Sequence, residues 1–434
     1  MRTILAISSA VAILALPARS RAEGSVVSEF APTGATGLAE LAALVRARTP
    51  GIQSDLLAAD LAGADVETSK LLPNPTIDAT WGTIPIGDTN PPNLKDALGN
   101  VPNYSVGLAV TVPIGKRGPR RARAEALERG ANAATDASVR ATALSVALTL
   151  GDVAGATLRA EGLRSQVTEQ RAALVLANSR RGAGFGTPLE VDRLAIELAR
   201  SEQQVLATEG DLATSIAECS ARLRLRCRPF ASVTDAKDFL TRWSNLPHAA
   251  SAPITTRPDI RALDALIAAS ASDADLARAQ AIPDPNVRLG YTHDRFVISG
   301  NQMNSLSLSL GFPIPVFDRA QGSVRAADAR RDRLTRQRAL TIEASALRVD
   351  DLRRALAVAE GRRTSIANDA LPRARALLVD LQNAANARLI PLTDVIQARR
   401  TLNELLVEEA DSSVDAFRTS IELLAELPEV TRGS

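Results

Sequence analysis

The 434-residue sequence predicts a mainly α-helical chain with a small β part, built by internal tandem duplication. Three observations carry this. Leu306, Leu308, Leu310 and Phe312 alternate with small polar residues at a period of two, the mark of a strand with one apolar face. More than sixty residues of Ala, Arg, Leu and Asp follow, nearly free of Gly and Pro, and read as one very long helix. The same succession stands earlier. Ser105 to Ile114 alternates in the same phase at an offset of 200 (305 − 105), and Pro73-Asn74-Pro75 matches Pro283-Asp284-Pro285 at an offset of 210 (283 − 73).

The expected divisions are a leader at 1–22, a first structural repeat at 23–228, an irregular connecting segment at 229–258 and a second repeat at 259–428. Arg2, the apolar run Ile4 to Leu16 and Ser20-Arg21-Ala22 have the pattern of a secretory signal peptide, so the mature chain is expected to begin near Glu23. Leu38 to Leu72 reads as a helix interrupted at Thr49-Pro50-Gly51 and stopped by Pro73. Thr76 to Ile84 and Tyr104 to Val112 are strands, joined by a loop rich in Pro, Gly, Asn and Asp. A helix from Pro119 to about Arg181, on the order of 90 Å long, turns at Arg181–Pro188 and returns through Leu189 to Arg226. The second repeat gives a helix at 259–281, strands at Asn286–Phe296 and Ser305–Phe312, a helix from Gln321 to Ala387, a turn at Arg388–Pro391 and a return through Leu392 to Leu427. In that return Val414, Phe417, Ile421 and Leu424 fall at helical spacing.

Composition narrows the function classes. With 45% hydrophobic but only 3% aromatic residues, the helices are expected to pack through small side chains. The net charge of +2 comes from Arg interspersed with Asp and Glu, so no basic face speaks for nucleic acid. No phosphate loop or Ser/His/Asp setting is present, which argues against an enzyme. The histidines, His248 and His293, lie far from Cys219 and Cys227, so no metal or cofactor site is expected; His293 reads as a polar-face residue of its strand. The two cysteines stand open between two readings. An exported chain favours a local disulfide, whereas a helix unbroken between them would hold the sulfurs roughly 12 Å apart.

Four strands of eight to ten residues cannot close a membrane barrel, since closed barrels need about eight. A chain using them to cross a membrane must therefore oligomerise; the alternative is a small soluble sheet packed on the helices, or a periplasmic coiled-coil adaptor or scaffold. The duplicated plan, the Pro-Asn-Pro and Pro-Asp-Pro lead-ins, and the strand exits Val112 to Gly118 and Phe312 to Gly322 resemble the TolC family of outer-membrane efflux channels. The resemblance implies long antiparallel α-helical hairpins in a periplasmic α-barrel and four strands per chain in a trimeric, twelve-stranded outer-membrane β-barrel. It also implies a homotrimer in outer-membrane lipid that works with a periplasmic adaptor and an inner-membrane transporter, without a cofactor. The run Pro313-Ile314-Pro315-Val316-Phe317-Asp318-Arg319-Ala320-Gln321-Gly322 further resembles the cation-efflux branch, which implies metal cations as cargo, with drug or protein export as the alternative. Relatives often carry an acylated N-terminal cysteine, whereas the first cysteine here is Cys219. Trp81, Tyr104, Tyr291 and Phe296 are the candidates for aromatic girdles at the barrel rims.

The hairpin tips are the expected site of function. Gly182, Gly184, Gly186, Leu389 and Pro391 are candidate adaptor contacts, because loop tips on rigid rods suit docking. Pro391-Leu392-Thr393-Asp394-Val395 resembles the family's tip sequence, which implies an acid facing the tunnel axis. Glu190 is its counterpart, and Glu190, Asp192 and Asp394 with Arg181 and Arg388 are the candidate gate. The competing reading makes Glu190 and Asp394 first-turn acids that stabilise helix N-termini.

Overall fold

The computed structural model describes residues 29–81, 103–246, 253–294, 303–387, 389–390 and 392–428. The leader, the two loops between paired strands, His248, Phe296, Arg388 and Pro391 lie outside these residues. A short strand β1 (Glu29–Phe30) precedes α1 (Leu38–Arg48) and α2 (Pro50–Lys70), which are broken where Thr49-Pro50 was expected to interrupt them. The hairpin β2 (Thr76–Trp81) and β3 (Asn103–Thr111) leads into α3 (Arg117–Gly182) and its return α4 (Pro188–Leu223). After β4 (Arg226–Cys227) and α5 (Val233–Ser244), α6 (Pro258–Gln280) opens a second passage through the same plan. It continues with β5 (Asn286–Asp294), β6 (Asn304–Gly311), α7 (Gln321–Ser365), α8 (Leu371–Asn386) and α9 (Leu392–Glu426). At 66 residues α3 is about 100 Å long.

Three local differences from the sequence reading, and one choice it left open at the cysteines, have physical causes. α3 starts at Arg117, so Pro119 is its third residue; a first-turn N–H has no intrahelical partner and its loss there is harmless. The segment 229–258, read as irregular, contains α5, whose N-cap Ser232 accepts a hydrogen bond from the Asp235 N–H at 3.0 Å. Its prolines bracket this helix instead of interrupting it. Cys219 and Cys227 are joined in a disulfide, because α4 stops at Leu223 and Arg224 turns the chain back in a left-handed conformation at φ 53°, bringing the two Cα atoms to 6.0 Å. Finally, the second long helix carries a π-turn at Ile366–Ala370, ending two residues ahead of Pro372, which has no N–H to continue the ladder.

The principal core forms where α1, α5 and α9 cover the centre of α3. Phe417 packs against Phe239 and Trp243 with ring centroids 5.6 and 6.4 Å apart, and Val414, Ile421 and Leu424 join it on the face expected of them. The Trp243 indole donates to the Thr36 carbonyl at 3.0 Å. Small residues set the closeness of the α3–α9 crossing: Gly151 receives the ring of Phe417 and Gly155 the side chain of Val414. The centre of α3 is apolar and long enough to cross a membrane, but most of that stretch is buried in this core.

A polar hub ties α6 to this body. Arg257, at the N-cap of α6, pairs with Asp259 at 2.8 Å and Glu426 at 2.8 Å, and donates to Ser345 Oγ and the Glu426 carbonyl, both at 2.9 Å. Partial burial pushes the Asp259 carboxyl up, but the Arg257 hydrogen bond and charge outweigh it and hold the group below its usual range. Beside it Arg140 donates to the carbonyls of Leu424 and Leu427, satisfying orphan acceptors at the end of α9.

Candidate functional site

The sheet stands at one end of the helices and has the order β2-β3-β5-β6, antiparallel throughout. Period-two alternation sorts its residues into two faces. Ile77, Val106, Leu108, Val110, Val287, Leu289, Leu306, Leu308 and Leu310 occupy one face, and all of them are exposed in the single chain. The opposite face carries Thr76, Asp78, Thr80, Ser105, Gly107, Arg288, Gly290, Thr292, Ser305, Ser307 and Ser309. At the end of the apolar face farthest from the helices, Trp81 stands opposite Tyr104, and Tyr104 lies 6.5 Å from Tyr291. Three of the four expected girdle residues thus come together. His293, expected on the polar face, follows Tyr291 by two and therefore shares the apolar one, stacked on Tyr104 at 5.0 Å.

On the polar face Arg288 reaches across β3 to Asp78 on β2, with Nε 3.1 Å from Oδ1 and Nη2 bonded to Oδ2. Glycine makes the crossing possible, since a Cβ on Gly107 would fall 2.6 Å from the Arg288 guanidinium. The Pro-Asp-Pro lead-in has its own task. Asp284 accepts the Ile114 N–H at 3.0 Å and the Lys116 ammonium at 2.7 Å, binding the start of one hairpin to the exit of the other. Desolvation raises the Asp284 carboxyl, and these two donors more than offset it, so the group sits below the usual carboxylate range.

At the far end of α3 the turn is a complete Schellman closure. The Phe185 N–H bonds the Arg180 carbonyl at 2.9 Å and the Gly184 N–H the Arg181 carbonyl at 3.0 Å, with Gly184 in the left-handed region at φ 82°. Gly186 is held close as well, since a Cβ there would stand 3.0 Å from the Arg181 nitrogen. Thr187 then caps α4 by accepting from the Glu190 N–H at 3.3 Å, which makes Glu190 the third helical residue of a Thr-Pro-Leu-Glu capping sequence. The second tip closes alike, the Leu389 N–H bonding the Ala384 carbonyl at 2.9 Å. Asp394 lies in the first turn of α9 and is exposed, as are Asp192 and Arg181.

Each tip thus presents an apolar residue at the same position of its turn: Phe185, 80% exposed, and Leu389, 78% exposed. Phe185 escaped the sequence reading, although it precedes Leu389 by the same 204 residues that separate Glu190 from Asp394. Among the described residues no cluster of three or more His, Cys, Asp or Glu side chains could hold a metal ion.

A sheet with one exposed apolar face, set on helical hairpins of this length, has the architecture of an outer-membrane channel chain. Solved structures of such channels share it over nearly the whole length. CusC aligns at a TM-score of 0.71 and 14% identity, covering 90% of this chain and 92% of its own. The open-state MtrE channel of Neisseria gonorrhoeae aligns at 0.67 and 12%, covering 90% and 88%. VceC of Vibrio cholerae aligns at 0.66 and 16%, covering 90% and 96%. No curated protein sequence matches the chain. Residues 41–221, from α1 almost to the end of α4, match the family described as Outer membrane efflux protein, a family of channels and not of enzymes.

Proposed function

We propose that this chain is the outer-membrane component of a tripartite efflux system, a passive exit duct from periplasm to exterior. Three copies contribute twelve strands to one β-barrel in outer-membrane lipid, and their hairpins enclose a periplasmic tunnel. The observation that carries this reading is the sheet: four strands whose large apolar side chains lie on one exposed face, ending in two edges that no described strand pairs. Lipid tolerates such a face only when every strand edge is paired, and four strands cannot close on themselves. Fractionation with chemical crosslinking tests it. Recovery in the outer membrane as a trimer is expected, whereas a soluble monomer would remove the barrel.

The tips meet a periplasmic adaptor, and an inner-membrane transporter delivers the cargo. Phe185 and Leu389 are the contact points, since a large exposed apolar side chain at a rigid turn gains by burial against a partner. Replacing both with Ser should lower adaptor capture while trimers persist; unchanged capture would count against docking at these turns.

Metal cations are the proposed cargo, on the strength of the strand exit from Pro313 to Gly322 and of the acids at the tips, of which Asp394 is exposed and Glu190 half-buried in the single chain. Three copies each of Glu190 and Asp394 around one axis would focus a field that favours cations, with Arg181 and Arg388 bridging neighbours in the closed state. Single-channel recording of Asp394→Ala and Glu190→Ala should show lost cation preference. Retained preference with only lowered thermal stability would leave both acids as helix-terminal groups. Deletion strains challenged with metal salts and with drugs distinguish the cargo: sensitivity to drugs alone would replace metal export.

A further inference from the structure

Among the described residues the sheet has two free edges, and the chain contains a template for joining them. β2 and β5 are first strands of their repeats, and β3 and β6 are second strands. Within the chain the second strand of one repeat pairs with the first of the next: β3 runs against β5 with Thr111 opposite Asn286, Ala109 opposite Arg288 and Gly107 opposite Gly290. We propose that β6 of one protomer pairs with β2 of the next in the register of this internal seam. The proposal rests on the trimeric channel reading and adds to it the residues that meet.

Carrying the seam across by the offsets of 200 and 210 places Gly311 opposite Thr76 of the next protomer, Ser309 opposite Asp78 and Ser307 opposite Thr80. Leu310 then faces Ile77, and Leu306 faces Trp81. Every apolar residue meets an apolar one and every polar residue a polar one, whereas a slip of one position would put Ile77 against Ser309 or Gly311 and turn one strand's apolar set into the lumen.

A slip of two keeps the faces matched, and the two hairpins differ from each other by that amount: Thr76 pairs with Ala109, but its counterpart Asn286 pairs with Gly311, the counterpart of Thr111. The lead-ins decide between these registers. In the internal seam the Val112 N–H bonds the Pro285 carbonyl at 3.0 Å, and Asp284 holds both the Ile114 N–H and Lys116. The counterparts at the outer seam are Phe312, Pro75, Asn74, Ile314 and Val316. The carboxylate has become an amide and the ammonium an isopropyl group, so both charges of the bracket are gone together. Asn74 can still accept the Ile314 N–H, and no buried charge is left without a partner. That coordinated loss is expected only if Asn74 and Val316 of adjacent protomers meet as Asp284 and Lys116 do.

Cysteine crosslinking tests the register. Because Val112 and Pro285 are a hydrogen-bonded pair, the polar-face pairs alternate as non-hydrogen-bonded ones, with Cα atoms about 4.5 Å apart, inside the range of a disulfide. Ser307→Cys with Thr80→Cys in one chain places the thiols on opposite edges, so a bond between them joins two copies. Mild oxidation of outer membranes should convert most chains to covalent dimers and trimers on non-reducing gels. Ser305→Cys or Ser309→Cys with Thr80→Cys, each shifted by two, should yield at least several-fold less. Preferred crosslinking of either shifted pair overturns the register. Native mass of the uncrosslinked protein separates the two levels, since absence of a wild-type trimer would refute the channel reading, while trimers without the 307–80 bond refute only the seam. As an independent variant, Asn74→Asp with Val316→Lys should rebuild the bracket between protomers and raise the trimer's dissociation temperature above that of Asn74→Asp alone; no difference between them would also overturn the register.

Discussion

Adding one methyl group at Gly151 puts the packing of the central core to a quantitative test. An alanine Cβ there would stand 2.2 Å from Cε1 of Phe417, 2.7 Å from Cδ1 and 2.9 Å from Cζ, well inside contact distance. Helix propensity alone favours the substitution, by about 1 kcal/mol. Overpacking opposes it, typically by 1–3 kcal/mol and more when the obstructed group cannot move. Phe417 cannot move cheaply, because it is fully buried and flanked by Phe239 and Trp243. The upper end of that cost less the propensity gain leaves a net loss of roughly 2 kcal/mol for Gly151→Ala, read as a lower denaturant midpoint of the purified protein. Gly162, on the same helix with nothing within 4 Å, is the internal control. Gly162→Ala should gain about 0.5–1 kcal/mol. Adding Phe417→Leu to Gly151→Ala should cost less than the two single losses together, because the smaller side chain vacates the contested space. Stabilisation by Gly151→Ala equal to that of Gly162→Ala would refute the reasoning, as would strict additivity with Phe417→Leu.

The Arg257 hub makes stability depend on acid. The folded-state pKa of Asp259 is depressed, so its contribution is complete above the unfolded value near 3.9 and is lost as the pH falls below it through the folded value. Denaturation midpoints should therefore fall as the pH drops below about 4, and Asp259→Asn should flatten part of that slope; an unchanged slope would exclude the hub as its source. Replacing Cys219 and Cys227 with Ser opens a small loop, which should cost about 2.5 kcal/mol by loop entropy. It should also loosen β1, paired through Phe30 to Cys227, seen as faster protease cleavage near residue 30; wild-type cleavage rates would refute the coupling. Gly184→Val forces a branched residue to φ 82°, at a cost of about 1–3 kcal/mol, and should shift the tip and reduce adaptor capture without dissociating trimers.

The strands were legible because period-two alternation is a local signal that survives any context, and all four appear within a few residues of where the alternation put them. The hairpins were legible for a related reason, since composition alone sustains helices this long. Features that depend on a single residue's backbone were less so. Arg224 takes the left-handed conformation without being glycine, so nothing in the sequence announced the turn that brings Cys227 back to Cys219. α5 was hidden by the prolines around it, although Ser232 and Asp235 formed a legible cap. At the tips the capping role of Thr187 was readable in Thr-Pro-Leu-Glu, whereas Phe185 required alignment of the two turns, because one exposed aromatic residue carries no period.

The π-turn at Ile366–Ala370 bears on which insertions and deletions the chain tolerates. Along α3, Val139, Val146, Val153, Ala160 and Val167 are buried at unbroken intervals of seven. In the second rod Val349 and Leu356 keep that interval, and so do Leu371 and Leu378, but the step between the two sets is fifteen, one more than two sevens. The wide turn absorbs the surplus residue, so that the inward stripe resumes in phase below it. Deleting Asn368 together with Pro372→Ala should therefore close the turn into ordinary helix and leave both stripes aligned. The same single deletion in the middle of α3 has no surplus to remove, and would rotate everything beyond it by about 100° out of its packing. Length variation among natural versions of this chain should accordingly gather in the second rod and avoid the first.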